Sequence, residues 1–300
     1  MNNQPTFRQP KRKRALKRRA SPAKILLTIV ICAALTLALI FVGLVAFGFR
    51  ISSKTVTQHS GQEVRISYIG FVSGGRATSG SISSSLGIKG TVADGKIVYS
   101  DGSEYTGALD GYIRSGTGTL TYANGDVYTG EWKNDEIHGQ GRFEYYSSTD
   151  VYEGYVEGGK KSGFGKYTYK SLTQSPNTIY EGNYQNDLPN GQGKLTFYDG
   201  SVYEGNFTDG TRQGQGKHTF ANGDVYEGEI LNGRAHGQGK YTFANGDVYE
   251  GQFEHGVIHG QGKYTWASGR DYTGLFKNGV AVYTDKTEQT PTETPEESEN

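Results

Sequence analysis

The chain has 300 residues, enough for one or two domains, and its 31 basic and 31 acidic residues cancel to zero net charge. Its 45 glycines and 22 tyrosines, beside a single cysteine, exclude a disulfide scaffold and a cysteine-based zinc cluster, and they argue against an ordinary helical globule. The charge is unevenly distributed. Residues 1–24 hold nine Lys or Arg and no acid, residues 25–49 hold no charge, and residues 51–300 hold 21 basic and 31 acidic residues.

The uncharged run at residues 25–49 predicts a transmembrane helix. At about 1.5 Å per residue its 25 residues would span about 37 Å, enough for a hydrocarbon core of about 30 Å. The basic tail, residues 1–24, precedes this run, and few basic residues follow it. The positive-inside rule therefore predicts a single-pass protein of the cell membrane, with a cytoplasmic N-terminus and residues 51–300 on the far side.

Two other interpretations compete with a membrane anchor in this N-terminal region. A cleaved signal peptide usually has a shorter apolar region and a small-x-small cleavage site, which the run ending at Gly48 lacks. The basic tail could instead bind nucleic acid or act as a sorting signal. Membrane topology and contact with anionic lipid explain it more simply, so no nucleic-acid partner is expected. Cys32 is interpreted as a small side chain facing lipid.

Two segments of low-complexity sequence lie on either side of residues 91–284. Residues 50–90 are rich in Ser, Thr and Gly, which predicts a flexible linker. Within it, residues 64–72 alternate between apolar and polar side chains and predict one possible strand. Residues 285–300 are rich in Thr, Glu and Pro, which predicts an acidic disordered tail.

Between these segments, residues 91–284 contain an internal repeat. A Tyr-x-Gly triplet recurs eight times, mostly every 23 residues, and a Gly-x-Gly follows eleven residues after each of the first seven tyrosines. The eighth copy is truncated. The triplets that define the repeat are Tyr105 and Gly107, Tyr128 and Gly130, Tyr152 and Gly154, Tyr180 and Gly182, Tyr203 and Gly205, Tyr226 and Gly228, Tyr249 and Gly251, and Tyr272 and Gly274.

Each repeat is predicted to be a β-hairpin. In the copy at residues 240–253, Asn245-Gly246 separates two strand-like runs, which is the sequence signal for a two-residue type I′ turn. A longer Gly-rich loop is expected to lead to the next hairpin. Because one hairpin is barely stable in water, the hairpins are predicted to stack side by side into an elongated, twisted antiparallel sheet, giving an all-β repeat array.

A two-residue turn would place aromatic side chains on both faces of this sheet. Tyr241 and Phe243 would share one face, and Tyr249 and Phe253 would share the other. The first face is the candidate interaction surface, and its aromatic residues are Tyr145, Tyr167, Tyr169, Phe197, Phe220, Tyr241, Phe243, Tyr264 and Trp266.

The repeat resembles a known family. Tyr-Glu-Gly-x-aromatic, then Asn/Asp-Gly, then His-Gly-x-Gly, then Tyr-Thr-Phe-Ala-Asn-Gly is similar to the MORN (membrane occupation and recognition nexus) repeat, most closely at residues 224–240 and 247–263. The resemblance implies an elongated sheet of hairpins used as a scaffold or for protein interaction. Phospholipid binding has been proposed for such repeats, and some lipid kinases carry them beside a kinase domain. The repeats fill this sequence, so no kinase domain is expected in it. With its basic tail and single span, the chain resembles a bacterial surface protein.

The repeats also serve as internal controls for candidate sites. His138, His236 and His259 precede a Gly-x-Gly, but the other four copies have no histidine there, and adjacent copies would lie about 10 Å apart, too far to share a metal. Glutamates follow the repeat tyrosines in every middle copy, whereas a catalytic pair needs one special cleft. Without a following helix, the Gly-x-Gly motifs do not predict a nucleotide site. No catalytic residue, metal or cofactor is therefore expected.

These observations favour a non-catalytic, membrane-anchored module that binds an unknown protein or a second copy of itself. The alternative is a surface protein that binds cell-wall polysaccharide through its aromatic columns, although only Trp132 and Trp266 supply the tryptophans typical of such binders. Lipid binding by the repeats is disfavoured, because residues 91–283 hold 16 basic and 24 acidic residues, a net charge of −8.

Overall fold

A computed structural model of the chain describes residues 22–93, 95–171 and 176–283. The acidic tail predicted for residues 285–300 and nearly all of the basic tail predicted for residues 1–24 lie outside this part. The chain divides into two compact units, Met1–Phe49 and Arg50–Asn300.

In the first unit the described residues form the helix α1 (Pro22–Ala46), of 25 residues. It ends three residues earlier than the uncharged run. Gly48 has a φ of 94°, and its N–H donates a hydrogen bond to the Val45 carbonyl, which is a common way for a helix to end. In the part of the chain that the structure describes, no helix combines the length and the apolar character that crossing a membrane requires. The transmembrane helix predicted for residues 25–49 is therefore not confirmed by the structure.

In the second unit the described residues form one sheet of 21 strands, in which each strand pairs with its neighbours in sequence. From the second strand onward, neighbouring strands are antiparallel. The strands are β1 (Phe49–Thr57), β2 (Glu63–Ser73), β3 (Arg76–Ser84), β4 (Lys89–Ala93), β5 (Lys96–Tyr99), β6 (Glu104–Asp110), β7 (Ile113–Thr121), β8 (Val127–Lys133), β9 (Glu136–Glu144), β10 (Val151–Glu157), β11 (Lys160–Tyr169), β12 (Thr178–Gln185), β13 (Leu188–Thr196), β14 (Val202–Thr208), β15 (Thr211–Thr219), β16 (Val225–Leu231), β17 (Arg234–Thr242), β18 (Val248–Glu254), β19 (Val257–Thr265), β20 (Asp271–Lys277) and β21 (Val280–Val282). This is the all-β array of stacked hairpins that the repeat predicts.

Residues 50–90 form strands in the structure, where a flexible linker was expected. The possible strand at 64–72 lies in β2, which buries alternate side chains, and β1, β3 and β4 pair around it. Tyr68 is fully buried, donates a hydrogen bond to the Phe71 carbonyl at 2.6 Å, and lies against Gly70 and Gly80. This is the packing of the repeat tyrosines. The Tyr-x-Gly signal at residues 68–70 was available in the sequence, but its 37-residue distance from Tyr105 falls outside the regular period.

The repeats contain two kinds of turn, and their positions correct the sequence prediction. At Asn245-Gly246 the loop has three residues: Phe243 N–H donates to the Asp247 carbonyl, Gly246 N–H donates to the Phe243 carbonyl, and only the glycine has positive φ, at 92°. This is a type I turn followed by a glycine bulge. The two-residue type I′ turns lie at the other end, for example at His255 (φ 52°) and Gly256 (φ 90°), where the longer loop was expected.

The extra residue in the three-residue loop reverses the predicted faces. Tyr241 pairs directly with Tyr249, so both rings lie on the same face, with Phe243 and Phe253 two and four residues further along their strands. A register change of one residue moves every side chain of a strand to the opposite face. The aromatic columns of the repeats therefore share one face, and the prediction of such columns on both faces is wrong; Tyr155 and Phe164 are single aromatic residues on the opposite face, beside Glu153 and Lys166.

The turn assignment makes a testable prediction. Gly246→Ala should lower the free energy of unfolding by about 1–2 kcal/mol, since an L-residue at positive φ is strained, while its new Cβ would meet Ala267 only at an ordinary 3.4 Å. Ala244→Gly in the same loop, at a residue without positive φ, is the control and should change stability by less than about 1 kcal/mol. Urea unfolding of both variants measures the difference, and equal losses would contradict the assigned turn.

Candidate interaction surface

A row of paired glycines crosses the sheet beneath the repeat tyrosines. Gly228, Gly239, Gly251 and Gly262 are consecutive members, each directly opposite the next. A Cβ on Gly239 would come within 2.6 Å of the Tyr226 ring. Tyr-x-Gly and the second glycine of Gly-x-Gly therefore clear space for a tyrosine ring that lies flat over both strands.

The repeat tyrosines are held in the same way in successive copies. The hydroxyl of Tyr226 donates to the Glu229 carbonyl at 2.6 Å, and its ring contacts Phe253 edge-on at 5.0 Å. Phe253 contacts Tyr249 in turn at 5.2 Å, so the buried rings connect neighbouring repeats. Burial raises the pKa of Tyr226 to about 12, which keeps the hydroxyl protonated as a donor. These tyrosines are structural and leave no free polar group for a ligand.

Beside the buried rings runs a second line of aromatic side chains, near the three-residue loops, which we call the aromatic ladder. It contains all the predicted interaction residues, with Phe143 and His218 in addition. Except for the exposed Tyr169, its members are half-buried. Successive ring centroids lie 4.1 to 6.0 Å apart along two segments, which are Phe143, Tyr145, Tyr167 and Tyr169, and then Phe197, His218, Phe220, Tyr241, Phe243, Tyr264 and Trp266.

In several repeats, the aspartate that follows the Asn-Gly pair accepts hydrogen bonds from the next repeat. Asp247 accepts hydrogen bonds from the Tyr264 hydroxyl at 2.7 Å and from the Ala267 backbone N–H at 2.8 Å. Asp224 does the same for Tyr241 and Ala244. The bond from tyrosine is the main reason that the pKa of each aspartate is lowered, while burial, with help from Asp247, raises the pKa of Tyr264 to about 12. Sequence reasoning missed this clamp, because its partners are 17 residues apart.

Removing one tyrosine hydroxyl tests the clamp. Tyr264→Phe should move the pKa of Asp247 back up towards its ordinary value, as followed by carboxyl carbon shifts in an NMR titration. Because the native pKa is lowered, the stabilisation from Asp247 is present above the unfolded pKa of about 4 and is lost as the pH falls through the native value. Tyr283→Phe, an exposed ring with no such bond, is the control. An unchanged Asp247 titration in Tyr264→Phe would contradict the clamp.

Three cations point into the aromatic face at equivalent positions of different repeats. The Arg114 guanidinium lies 4.2 Å from the Trp132 ring centre and pairs with Asp135 at 2.7 Å. Lys161 lies 5.6 Å from the Tyr152 ring and 3.8 Å from Asp187. Arg212 lies 5.3 Å from the Tyr203 ring. Cation–π contact of this kind stabilises a partly buried cation.

The opposite face is polar and its charges are paired. Lys and Glu alternate in direct register across the sheet, so that Glu227, Lys240 and Glu250 follow one another on adjacent strands. The balancing of acidic by basic rows that the sequence predicted is confirmed by contacts such as Lys217 to Glu227 at 2.9 Å and Lys240 to Glu250 at 3.2 Å. Because about half of each side chain is exposed, these pairs contribute little to stability.

The histidines and the Gly-x-Gly motifs lie within strands, which corrects their assignment to turns. His138, His236 and His259 belong to β9, β17 and β19, each next to a glycine of positive φ that forms a strand irregularity. Each glutamate of the charged row faces a Lys or Arg rather than a second carboxylate. Among the described residues, no group of three or more His, Cys, Asp or Glu is arranged to hold a metal.

Comparison with protein families gives a match to the MORN repeat in seven segments that together cover just over half of the chain. The matched segments are residues 105–127, 128–149, 152–173, 180–202, 203–225, 226–248 and 249–269. They coincide with the hairpins that carry the buried tyrosines and the glycine row. A comparison with curated proteins found no match.

Proposed function

Since the chain belongs to the MORN repeat family, we propose that it is a non-catalytic scaffold that binds a protein partner along the aromatic ladder of its sheet. The observation that supports this most is the continuity of the ladder, in which half-buried rings touch one another across successive hairpins from Phe197 to Trp266. Aromatic side chains are enriched in protein interfaces because they bury much area for few rotatable bonds.

The direction of the ladder indicates the shape of the partner. It crosses the strands and repeats every two strands, or roughly 10 Å. An extended peptide or one side of a helix could place an apolar residue against each repeat. A second copy of the chain would meet the same requirement through its own ladder.

The arrangement favours protein over polysaccharide. Sugar rings stack on free aromatic faces, whereas the ladder rings contact one another, for example Phe243 with Tyr241 at 4.6 Å and with Tyr264 at 5.7 Å. The polar face is a poor alternative surface, because its charges are already paired. The repeats also carry a net charge of −8, which disfavours an anionic lipid surface.

Site-specific photocrosslinking tests the proposal without disturbing the fold. The full chain is expressed in its own cells with a photoreactive phenylalanine in place of Phe243 or Tyr169 on the ladder, or of Gln238 on the polar face. Ladder positions should give a discrete protein adduct, and Gln238 should not. Adducts from Gln238 alone, or binding of the chain to cell-wall glycan with no protein adduct, would contradict the proposal.

We further propose that residues 25–49 hold this scaffold at a membrane, with the repeats displayed on the side away from the cytoplasm. Support comes from the uncharged length of this run and from the nine basic residues that precede it. The full chain should stay in the membrane fraction after alkaline carbonate washing, and a variant lacking residues 25–49 should be released. A variant lacking residues 285–300 is the control. Release of the full chain by carbonate would overturn the membrane anchor and leave the crosslinking test unaffected.

A further inference from the structure

The repeats follow a pairing rule at the position of the aromatic face that Arg114, Lys161 and Arg212 occupy. Where the residue there is a cation, the second residue of the next type I′ turn is an aspartate, as in Arg114 with Asp135 and Lys161 with Asp187. Where the residue is apolar, the turn has a glycine, as in Ile258 with Gly279. The other apolar members, each with a turn glycine, are Ile137, Pro189 and Ala235, whose turns contain Gly159, Gly210 and Gly256.

Arg212 is the exception to this rule. The turn beside it contains Gly233, whose backbone N–H donates to the Arg212 carbonyl, so the position that holds a carboxylate for Arg114 holds none here. A Cβ on Gly233 would lie 3.2 Å from the Arg212 guanidinium. Among the described residues, no carboxylate forms an ion pair with Arg212.

A second pairing rule is broken in the same repeat. Where an aspartate is present, the first ladder position of the strand is usually a tyrosine that the aspartate clamps, as in Tyr241 with Asp224, although Phe143 occupies this position after Asp126. Where Ser103 or Thr178 replaces that aspartate, the ladder position is apolar, namely Leu120 or Leu195. His218 departs from this pattern, because it is polar although Ser201 stands in the aspartate's place. Its buried Nε2 atom has no hydrogen-bond partner.

Arg212 and His218 lie beside the same two rings on the aromatic face, and the four side chains together are called the recess. The Arg212 guanidinium lies 5.5 Å from the Phe197 ring and 5.3 Å from the Tyr203 ring, and the His218 ring lies 5.8 Å and 6.4 Å from the same two rings. Burial lowers the pKa of Arg212, and burial together with Arg212 lowers that of His218. Burial lowers the pKa of Lys161 as well, although Asp187 pairs with it, so the feature that distinguishes Arg212 is the missing carboxylate. The nearby Asp199 accepts two hydrogen bonds from Ser201 through its Oδ1 atom, and among the described residues it forms no ion pair with Arg212 or His218.

We propose that this recess, formed by Arg212, His218 and the rings of Phe197 and Tyr203, binds a carboxylate side chain of an acidic peptide segment. The ligand would supply the charge that Asp135 and Asp187 supply to the other two cations. A guanidinium binds a carboxylate through two parallel hydrogen bonds, and a neutral imidazole can donate a third. Because the recess lies in the ladder, this inference deepens the proposed function by assigning an acidic residue to the partner.

Two sources could supply the same chemistry, namely another protein or residues 285–300 of this chain, which include six acidic residues and one lysine. The probe is therefore a fluorescent peptide with the sequence of residues 292–300, and the control peptide carries glutamine for every glutamate. Binding to the detergent-solubilised full chain is measured by fluorescence polarisation. A chain ending at residue 284 is measured in parallel, and tighter binding to it identifies the chain's own tail as the natural occupant.

The decisive variant restores the missing carboxylate within the chain. Gly233→Asp should weaken probe binding about tenfold or more while the thermal midpoint stays equal or rises, because Asp135 and Asp187 occupy the same turn position with positive φ. Gly256→Asp adds the same charge beside Ala235 and should bind normally. Arg212→Gln should also lose binding, and Lys217→Gln, on the polar face, should not.

Equal binding of the glutamate peptide to the full chain and to Gly233→Asp would overturn the proposal, as would equal binding of the glutamine peptide. The proposed function would stand in that case if the photoreactive residue at position 243 still formed its protein adduct. Loss of that adduct alone would instead remove the ladder as the partner surface.

Discussion

Replacing Tyr226 with alanine is expected to lower the free energy of unfolding by about 3–5 kcal/mol. The side chain is 2% exposed, covers two glycines of the paired row and contacts the Phe253 ring of the next repeat. Its removal leaves a cavity that the glycines cannot fill, because they have no side chains. It also leaves the Glu229 carbonyl without the hydroxyl that donates to it at 2.6 Å.

Urea unfolding of the full chain measures this loss, and hydrogen exchange localises it. In a repeat array each unit is stabilised by its neighbours, so faster exchange should concentrate in β15 to β18. Tyr198→Ala is the matched control, since that ring is 62% exposed, and it should change stability by less than about 0.5 kcal/mol. Similar losses for Tyr226→Ala and Tyr198→Ala would contradict the packing role of the repeat tyrosine.

Asp135→Asn is expected to destabilise the first repeats by about 3 kcal/mol, the lower end of the range for breaking a buried ion pair. The Arg114 and Asp135 side chains are only 13% and 20% exposed, and the aspartate accepts from both Nε and the backbone N–H of Arg114. Burial alone would lower the pKa of Arg114, but Asp135, together with Tyr99 and Tyr105, more than offsets this effect, and the pKa lies above its ordinary value. Asparagine keeps the turn geometry and removes only the charge.

A rescue variant separates the lost charge from damage to the turn. Arg114→Ile combined with Asp135→Gly reproduces the apolar–glycine pairing of Ile258 and Gly279, and it should recover most of the stability lost in Asp135→Asn. Thermal unfolding of the single and double variants gives the comparison. A double variant less stable than Asp135→Asn would show that the ion pair is not interchangeable with apolar packing.

The repeat tyrosines and glycines were identified from their spacing alone, because a strict period in sequence must be a period in structure. The faces of the strands could not be assigned with the same certainty. Asn245-Gly246 suits both a two-residue type I′ turn and a three-residue loop with a glycine bulge, and the two alternatives differ by one residue in register. Apart from the possible strand at 64–72, the strands of residues 50–90 were missed because their Ser and Thr residues resemble linker composition. The clamp from Tyr264 to Asp247 spans 17 residues and has no local signal.

The spacing of tyrosine and glycine was enough to specify an array of stacked β-hairpins for residues 91–284, because single hairpins with so few apolar residues can bury a tyrosine in each copy only by stacking. The folded structure was needed to show that the repeat tyrosines and the ladder share one face, and that Arg212 lacks the carboxylate that Arg114 and Lys161 have. The reason is that strand faces and ion pairs depend on which residues meet across strands, and register is set by turn geometry and side-chain packing rather than by composition.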